Sequence, residues 1–289
     1  MNYFRSMTLK EAHQQLKQTL KNIYEEHEVV VIIALVLEKI TGLSRVDRLL
    51  NPDALLSKSQ EDLFSIYSEE LSKHRPVQYV IKEAWFFSMK FYVDEQVLIP
   101  RPETEELVQW ILSEVQTKAT ILDIGTGSGC IAVALKKKWP QWRIIACEIS
   151  EKALAIARRN AVSNGTDLEF LQLDFLDRSK WKNLPEMQLI VSNPPYIPIK
   201  ERDNMQLNVV DYEPSIALFV PDEDPLLYYR AMGEFAMIKL KKGGKLFVEV
   251  HESLAFSVKK LFSFLGFDQT EIRMDIQGKP RMIKATRLL

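Results

Sequence analysis

The sequence predicts an α/β protein with a mostly parallel sheet, a C-terminal antiparallel hairpin and a small N-terminal helical domain. From about residue 120, short apolar segments typical of strands alternate with segments of helical periodicity. Such alternation favours right-handed βαβ units and therefore a parallel sheet. Before about residue 88, apolar residues recur mostly at helical spacing. The 289 residues allow one large domain or two unequal ones.

The N-terminal region, residues 1–85, is expected to be the helical domain. Leucines recur at helical spacing between residues 9 and 20, and the apolar run at 29–40 suits a buried helix. Ser59 and Asp62 have the spacing of a capping box, which predicts that a helix begins there.

Residues 86–102 are expected to form a β-hairpin linker, because Pro100 and Pro102 forbid a continuous helix. The remainder, residues 103–289, is expected to hold the sheet. Its strands are predicted at 120–124, 142–147, 168–171, 188–191 and 245–250, with 267–274 and 281–286 as the closing hairpin. Its helices are predicted at 104–113, 151–163, 224–240 and 253–265. A further helix is predicted to begin after the turn that follows the first strand and to end at residue 138.

Composition excludes several classes of protein. Lys and Arg number 38 against 39 Asp and Glu, so the net charge is −1 and no stable nucleic-acid binding is expected. Cys130 and Cys147 form no CxxC pair and the four histidines are scattered, so neither a disulfide framework nor a metal site is expected. The apolar run at 29–37 is shorter than the roughly 20 residues of a membrane span. With no signal-peptide pattern, the expected compartment is the cytoplasm.

A glycine-rich run follows the predicted strand at 120–124 and opens a helix. It comprises Gly125, Thr126, Gly127, Ser128 and Gly129. Glycines let the backbone turn tightly and approach a ligand. Glu148, at the end of the second strand, suits the hydroxyls of a ribose. Asp123 disfavours a pyrophosphate but suits a cationic sulfonium ligand, and the run resembles the first motif of class I S-adenosylmethionine-dependent methyltransferases.

A second motif, Ser192-Asn193-Pro194-Pro195-Tyr196, follows the predicted strand at 188–191. An amide or aromatic amine nitrogen is a poor nucleophile, so it must be held in line by acceptors for its N–H groups. The Asn193 side chain offers one carbonyl, and the stiff Pro-Pro backbone offers carbonyls without competing N–H groups. Tyr196 is suited to stacking on a planar group. Positioning and electrostatics then supply the catalysis, without a strong general base.

The motifs together resemble the HemK-type peptide chain release factor glutamine N5-methyltransferases, of the class I methyltransferase superfamily. The stretches that carry the resemblance are Arg75-Pro76-Val77-Gln78-Tyr79 followed by Phe86, Val97-Leu98-Ile99-Pro100-Arg101-Pro102-Glu103-Thr104-Glu105, Leu122–Gly129, Asn193–Tyr196, Glu213-Pro214 with Ala217-Leu218, Gly243-Gly244 and Asp275-x-x-Gly278-x-x-Arg281. The resemblance covers most of the chain from Arg75 and implies a Rossmann-like methyltransferase domain behind a helical domain and a hairpin. Lys82 and Ser88 depart from it, since the family commonly has glycine at both positions.

By resemblance, the substrate is the glutamine of the Gly-Gly-Gln motif in release factors, and S-adenosylmethionine is converted to S-adenosylhomocysteine. The glycine-rich run, residues 125–129, and Glu148 would bind the cofactor, with Phe175 beside its adenine. Asn193 would border both cofactor and substrate, Pro194 would offer a carbonyl to the substrate amide, and Pro195 and Tyr196 would shape its slot. Arg101 and residues 103–105 are expected to border the pocket.

Three alternatives remain open from the residues. A DNA or RNA exocyclic amino-methyltransferase would use the same motif on a flipped base. A non-catalytic module would bind the cofactor or a nucleotide and dock partners. A dinucleotide oxidoreductase is the most distant, because the run is GxGxG and not GxGxxG.

Overall fold

The computed structural model describes residues 6–115 and 117–288, which divide into two compact units. The first unit comprises the described part of residues 1–83 together with Gln206–Tyr212. The second comprises the described parts of 84–205 and 213–289. Among the described residues, no helix is both long and apolar enough to cross a membrane.

The helices are α1 Leu9–Leu20, α2 Glu26–Thr41, α3 Arg45–Leu50, α4 Lys58–Ser72, α5 Val77–Ile81, α6 Pro102–Glu114, α7 Cys130–Lys138, α8 Glu151–Ser163, α9 Leu207–Val210, α10 Ser215–Leu218, α11 Leu227–Lys239 and α12 Ala255–Phe264. The strands are β1 Ala84–Phe86, β2 Met89–Phe91, β3 Thr120–Ile124, β4 Arg143–Glu148, β5 Glu169–Gln172, β6 Met187–Ser192, β7 Ile197–Pro198, β8 Phe219–Val220, β9 Leu240–Glu249, β10 Gln269–Met274 and β11 Pro280–Thr286. Two 3-10 helices lie at Arg178–Asn183 and Ile199–Asn204.

The first unit is helical, as the sequence predicts. Leu16 and Leu20 of α1, Val36 of α2, and Phe64 and Leu71 of α4 are fully buried in one apolar cluster. Removing such side chains from water is the main stabilising term of a small helical unit.

The predicted cap at Ser59 is wrong. The helix α4 begins two residues earlier, where the hydroxyl of Ser57 accepts from the Gln60 N–H at 3.3 Å and the Gln60 side chain accepts from the Ser57 N–H at 2.9 Å. The Ser57–Gln60 pair has capping-box spacing too. Asp62 instead forms an ion pair with Lys58, one helical turn away. Two overlapping patterns thus compete, and the extended backbone at Ser57 decides between them.

The second unit contains a seven-stranded sheet of order β10-β11-β9-β6-β3-β4-β5. The strands from β9 to β5 are parallel, while β11 runs antiparallel to both of its neighbours. This confirms the predicted fold, including its C-terminal antiparallel hairpin. The chain builds outward from β3 through β4 and β5, then returns to β6 on the opposite side of β3. Open α/β sheets bind ligands at such a reversal, outside the carboxyl ends of the strands.

Most predicted elements are within about three residues of their observed bounds, and β9 is the exception. It begins at Leu240, five residues before its predicted start, because Leu240 already pairs with Met187 of β6. Large buried side chains cover both faces of the sheet, as the alternation of helices on either side requires.

The hairpin of the second unit pairs β1 with β2 around a two-residue turn at Phe87 and Ser88. Phe86 and Phe91 are buried on one face, while Trp85 is half exposed. The φ angles of Phe87 and Ser88 are +51° and +60°. This turn, the φ > 0 pattern of type I′ hairpins, includes one of the two positions at which the family commonly has glycine.

Candidate active site

A concave pocket lies at the carboxyl ends of β3, β4 and β6, where the strand order reverses. Its cavity volume is about 140 Å³, and its mouth is open to solvent. Its lining includes the predicted residues Gly125, Thr126, Gly127, Ser128, Glu148, Phe175, Asn193, Pro194 and Pro195. Folding thus gathers onto one surface four segments that are separated in the sequence.

The glycine-rich turn is attached to β4 by its backbone. The N–H groups of Gly125 and Thr126 both donate to the Cys147 carbonyl, at 2.9 and 3.1 Å. Gly125 and Gly127 have φ angles of +69° and +53°, and a Cβ at either position would meet nothing within 4 Å. The space beside these glycines is therefore open to a ligand, which fits an S-adenosylmethionine cradle.

Gly129 has a different role from the other glycines of the run. It has a φ of +82° and precedes α7, and a Cβ there would lie 3.2 Å from the Cβ of Ala157 on α8. Gly129 is also absent from the described lining of the pocket. The absence of a side chain at Gly129 lets α7 and α8 approach each other closely, and the last glycine of nucleotide-binding turns often serves close packing in the same way.

Glu148 closes β4 and lines the pocket. One carboxylate oxygen accepts from the N–H groups of Ile149 and Ser150, at 2.8 and 3.1 Å, and the other accepts from the Gly127 N–H at 3.1 Å. A carboxylate has about four acceptor positions, so one remains for a ribose hydroxyl. The three backbone contacts fix the carboxylate in place before any ligand arrives.

Asp123 lies beneath the glycine-rich turn and is 1% exposed. Burial raises the pKa of its carboxyl to about 7, and a hydrogen bond from the Thr126 hydroxyl, at 2.6 Å, opposes that rise. The negative charge of Glu148 raises the pKa further. Glu148, which lines the pocket, is therefore the acid that can favour a cation there.

Phe175 lines the pocket from an aromatic cluster. Its ring centroid lies 5.6 Å from that of Trp181 and 5.2 Å from that of Phe235, and the Trp181 indole N–H donates to the Phe175 carbonyl at 2.9 Å. The ring is therefore held rigidly at the pocket wall. The neighbouring Asp174 also lines the pocket, although no role was predicted for it.

The side chain of Asn193 has a defined orientation. Its amide nitrogen donates to the Thr104 hydroxyl at 3.1 Å, and that hydroxyl donates to a carboxylate oxygen of Glu249 at 2.6 Å. The amide oxygen of Asn193 has no hydrogen-bond partner within residues 6–115 and 117–288. Asn193 lines the pocket beside Pro194 and Pro195, neither of which has a backbone N–H.

Tyr196 differs from its neighbours in the motif. Its hydroxyl donates to the second carboxylate oxygen of Glu249 at 3.1 Å, and Tyr196 is absent from the described pocket lining. Burial and the charge of Glu249 raise its pKa, so the phenol remains a donor. The predicted stacking of Tyr196 on a substrate stays a prediction.

The Ile99–Glu105 stretch is held at the pocket by Glu213, a residue 4% exposed. Its carboxylate accepts from the Ile99 N–H at 3.2 Å and pairs with the Arg101 guanidinium at 2.5 Å. Arg101 and Thr104 line the pocket, as expected for this stretch. Glu105 instead accepts from the Phe87 N–H of the hairpin at 2.8 Å.

Several lining residues escaped prediction. They are Gln96, Val97, Leu98, Cys130, Ile131, Cys147, Ile149, Ser150, Ala153, Leu173, Asp174, Pro214, Ile216, Ala217 and Tyr228. The acid directly before Phe175 was a usable signal for Asp174. Tyr228 lies on an ordinary helix, α11, whose sequence pattern carries no sign of a ligand.

Comparison with known proteins decides the family. A family model described as the methyltransferase small domain matches residues 103–211, and one described as the PrmC N-terminal domain matches residues 11–81. A release factor glutamine methyltransferase of Flavobacterium psychrophilum is 40% identical over 96% of this chain and 99% of its own length. Those of Bacteroides thetaiotaomicron and Streptococcus pneumoniae are 37% and 39% identical, over 94% and 93% of this chain and 98% and 97% of theirs. The chain belongs to the release factor glutamine methyltransferase family.

Membership of this family makes the chain a methyltransferase. A crystal structure of a methyltransferase from Pyrococcus furiosus is similar in fold, with a TM-score of 0.51 and 17% identity over 71% of this chain and 91% of that one. At this identity the likeness concerns the fold alone. The release factor glutamine methyltransferase relatives, by contrast, match over nearly their whole length, so both the helical region and the sheet domain are shared with them.

Proposed function

We propose that this protein transfers a methyl group from S-adenosylmethionine to the side-chain amide nitrogen of the glutamine in the Gly-Gly-Gln motif of peptide chain release factors. The orientation of Asn193 carries the proposal, because its free amide oxygen borders the cofactor pocket. The names of the full-length relatives support the choice of substrate.

The cofactor would lie along the glycine-rich turn, with its ribose on Glu148 and its adenine beside Phe175. When bound, S-adenosylmethionine supplies an electrophilic methyl group on a sulfonium sulfur. The Glu148 carboxylate favours positive charge nearby. Both cysteines of the chain are free and buried, which fits a reducing compartment such as the cytoplasm.

The substrate amide would enter next to Asn193 and Pro194. The Asn193 side-chain oxygen and the Pro194 carbonyl accept its two N–H groups, which holds the nitrogen in line with the methyl group. Positive charge that develops on the nitrogen strengthens both hydrogen bonds. The amide proton becomes acidic at the same time, so the site needs no dedicated base. Positioning and electrostatics account for the rate enhancement.

The rest of the release factor would bind the helical region, residues 1–85. The short helix α3 offers Val46, Leu49 and Leu50, whose apolar side chains are exposed. Exposed apolar groups close together on one helix suit a protein partner better than a phosphate backbone.

Methyl transfer from labelled S-adenosylmethionine tests the proposal, with release factors, tRNA, rRNA and duplex DNA offered in parallel. We expect label on the Gly-Gly-Gln glutamine and its loss in Asn193→Ala, with cofactor affinity nearly unchanged. Label on nucleic acid would overturn the proposed substrate. A large loss of cofactor affinity in folded Asn193→Ala would contradict the role of Asn193.

A further inference from the structure

Thr104, Asn193 and Glu249 form one chain of hydrogen bonds beside the pocket. In the parallel ladder of β6 with β9, Ser192 pairs with Val248, so the next residues, Asn193 just after β6 and Glu249 at the end of β9, lie side by side. Thr104 approaches both from α6. Thr104 and Glu249 are 2% and 1% exposed, so water does not compete for these bonds.

The chemistry of the three groups gives this chain a direction. A carboxylate only accepts hydrogen bonds, so the Thr104 hydroxyl, whose oxygen lies 2.6 Å from a carboxylate oxygen of Glu249, donates its single proton to it. The hydroxyl oxygen can then only accept from Asn193, which therefore turns its NH2 toward Thr104. The Asn193 carbonyl is left for the pocket. A reversed Asn193 would face the N–H groups of the substrate amide with N–H groups of its own.

Glu249 accepts hydrogen bonds at both of its carboxyl oxygens and at its backbone carbonyl. The Tyr196 hydroxyl donates to its second oxygen, and the Tyr229 hydroxyl donates to its backbone carbonyl at 3.0 Å. Burial raises the pKa of Glu249, whereas the bonds from Thr104 and Tyr196 and the charge of Arg281 lower it. The Asn-Pro-Pro-Tyr motif and the Ile99–Glu105 stretch thus meet on one carboxylate.

We propose that Glu249, through Thr104, is a positioning residue that fixes the side-chain amide of Asn193 with its oxygen toward the substrate. The inference rests on the proposed function of Asn193. It extends that function to Thr104 and Glu249, for which the sequence predicted no positioning role. Thr104 and Glu249 act only through Asn193 and do not themselves touch the reacting atoms.

The first test compares Thr104→Val with Thr104→Ser. Valine keeps the shape and removes the hydroxyl, whereas serine keeps the hydroxyl. We expect Thr104→Val to lower kcat about ten- to a hundredfold, less than the loss of a group that contacts the substrate directly, because Asn193 itself remains. The KM for the release factor and the Kd for the cofactor should stay within about twofold, and Thr104→Ser should retain most of the wild-type kcat. Equal activity of the two variants would overturn the proposal.

The second test is Glu249→Gln, alone and combined with Thr104→Val. The glutamine amide can donate to Thr104, so the direction of the chain is no longer enforced. Because both changes break one chain, the double variant should be about as slow as the slower single variant. Losses that multiply would contradict a shared route through Asn193. If Glu249→Gln fails to fold, the comparison of valine and serine at position 104 still decides.

A third measurement does not depend on the substrate. Hydrogen exchange of the Asn193 side-chain NH2, followed by NMR, should be slow in the wild type and about tenfold or more faster in Thr104→Val. Equal exchange in both proteins would overturn the inference even if no methyl transfer is found. Conversely, protected Asn193 protons with no methylation of any release factor would reject the proposed function and leave the positioning role standing.

Discussion

At the scale of single residues, the candidate site combines side chains that line the pocket with residues that keep those side chains in position. Glu148 belongs to both kinds, since its carboxylate accepts three backbone N–H groups and also lines the pocket. Gly129 belongs only to the second kind, because its missing side chain makes room for Ala157. The glycine-rich run, which the sequence predicts to bind the cofactor throughout, thus contains a glycine that serves helix packing instead.

Glu148→Ala should weaken cofactor binding by about 1–3 kcal/mol, because it removes a partly buried hydrogen-bonding group. Isothermal titration calorimetry with S-adenosylmethionine measures the change. Glu151→Ala is the matched control, since Glu151 is an exposed acid at the start of α8 that pairs with Arg158 and is absent from the described pocket lining. Unchanged affinity in Glu148→Ala would contradict the ribose role.

Asp123→Asn should alter how stability depends on pH. The folded-state pKa of Asp123 is raised from 3.8 to about 7 by burial, so the folded protein holds this proton more tightly than the unfolded chain. The resulting stabilisation is complete below about pH 4 and is lost as the pH rises through 7. Relative to Asp123→Asn, the wild type should lose on the order of 2 kcal/mol between pH 5 and 8, in urea titrations. Parallel pH curves for the two proteins would argue against the raised pKa.

At the scale of elements, periodicity predicts the order of strands and helices because each element buries one face. Local chemistry then sets the ends, and there the sequence is ambiguous. Ser57 and Ser59 both have capping partners three residues on, and only the start of α4 shows that Ser57 is the cap. Likewise, β9 extends back to Leu240 because β6 provides a partner strand for it.

The hairpin turn offers a stability test. Ser88 has a φ of +60°, a conformation in which a Cβ is strained and glycine is not. We expect Ser88→Gly to raise the free energy of unfolding by about 0.5–1 kcal/mol. Ser88→Ala, which keeps the Cβ, should bring no gain. Thermal or urea unfolding measures both, and a stabilised alanine variant would show that the strain lies elsewhere.

At the scale of the whole molecule, the balance of 38 basic and 39 acidic side chains bears on the choice of partner. Proteins that grip nucleic acids through many phosphates release counterions, and their affinity falls by about 10³–10⁵ between 50 and 200 mM salt. We expect the KM for release factors to change less than about threefold over that range. Added tRNA or duplex DNA should not compete. Strong, salt-sensitive competition would favour a nucleic-acid substrate.

The parallel sheet, the glycine-rich turn and the Asn-Pro-Pro-Tyr motif were predictable from the sequence, because each depends on residues that are neighbours in the chain. Thr104 and Tyr196 each belong to a stretch that the sequence analysis recognised, but nothing in the sequence indicated that the two residues contact the same side chain. Thr104 and Tyr196 both contact Glu249, from which they are separated by 145 and 53 positions in the sequence. Asn193 and Thr104, which are also hydrogen-bonded, are 89 positions apart. Only the tertiary structure decided this arrangement, because the side-by-side pairing of β6 and β9 and the approach of α6 depend on long-range packing. The direction of the Asn193 amide follows from that packing, since the Thr104 hydroxyl donates its single proton to Glu249 and can then only accept from Asn193.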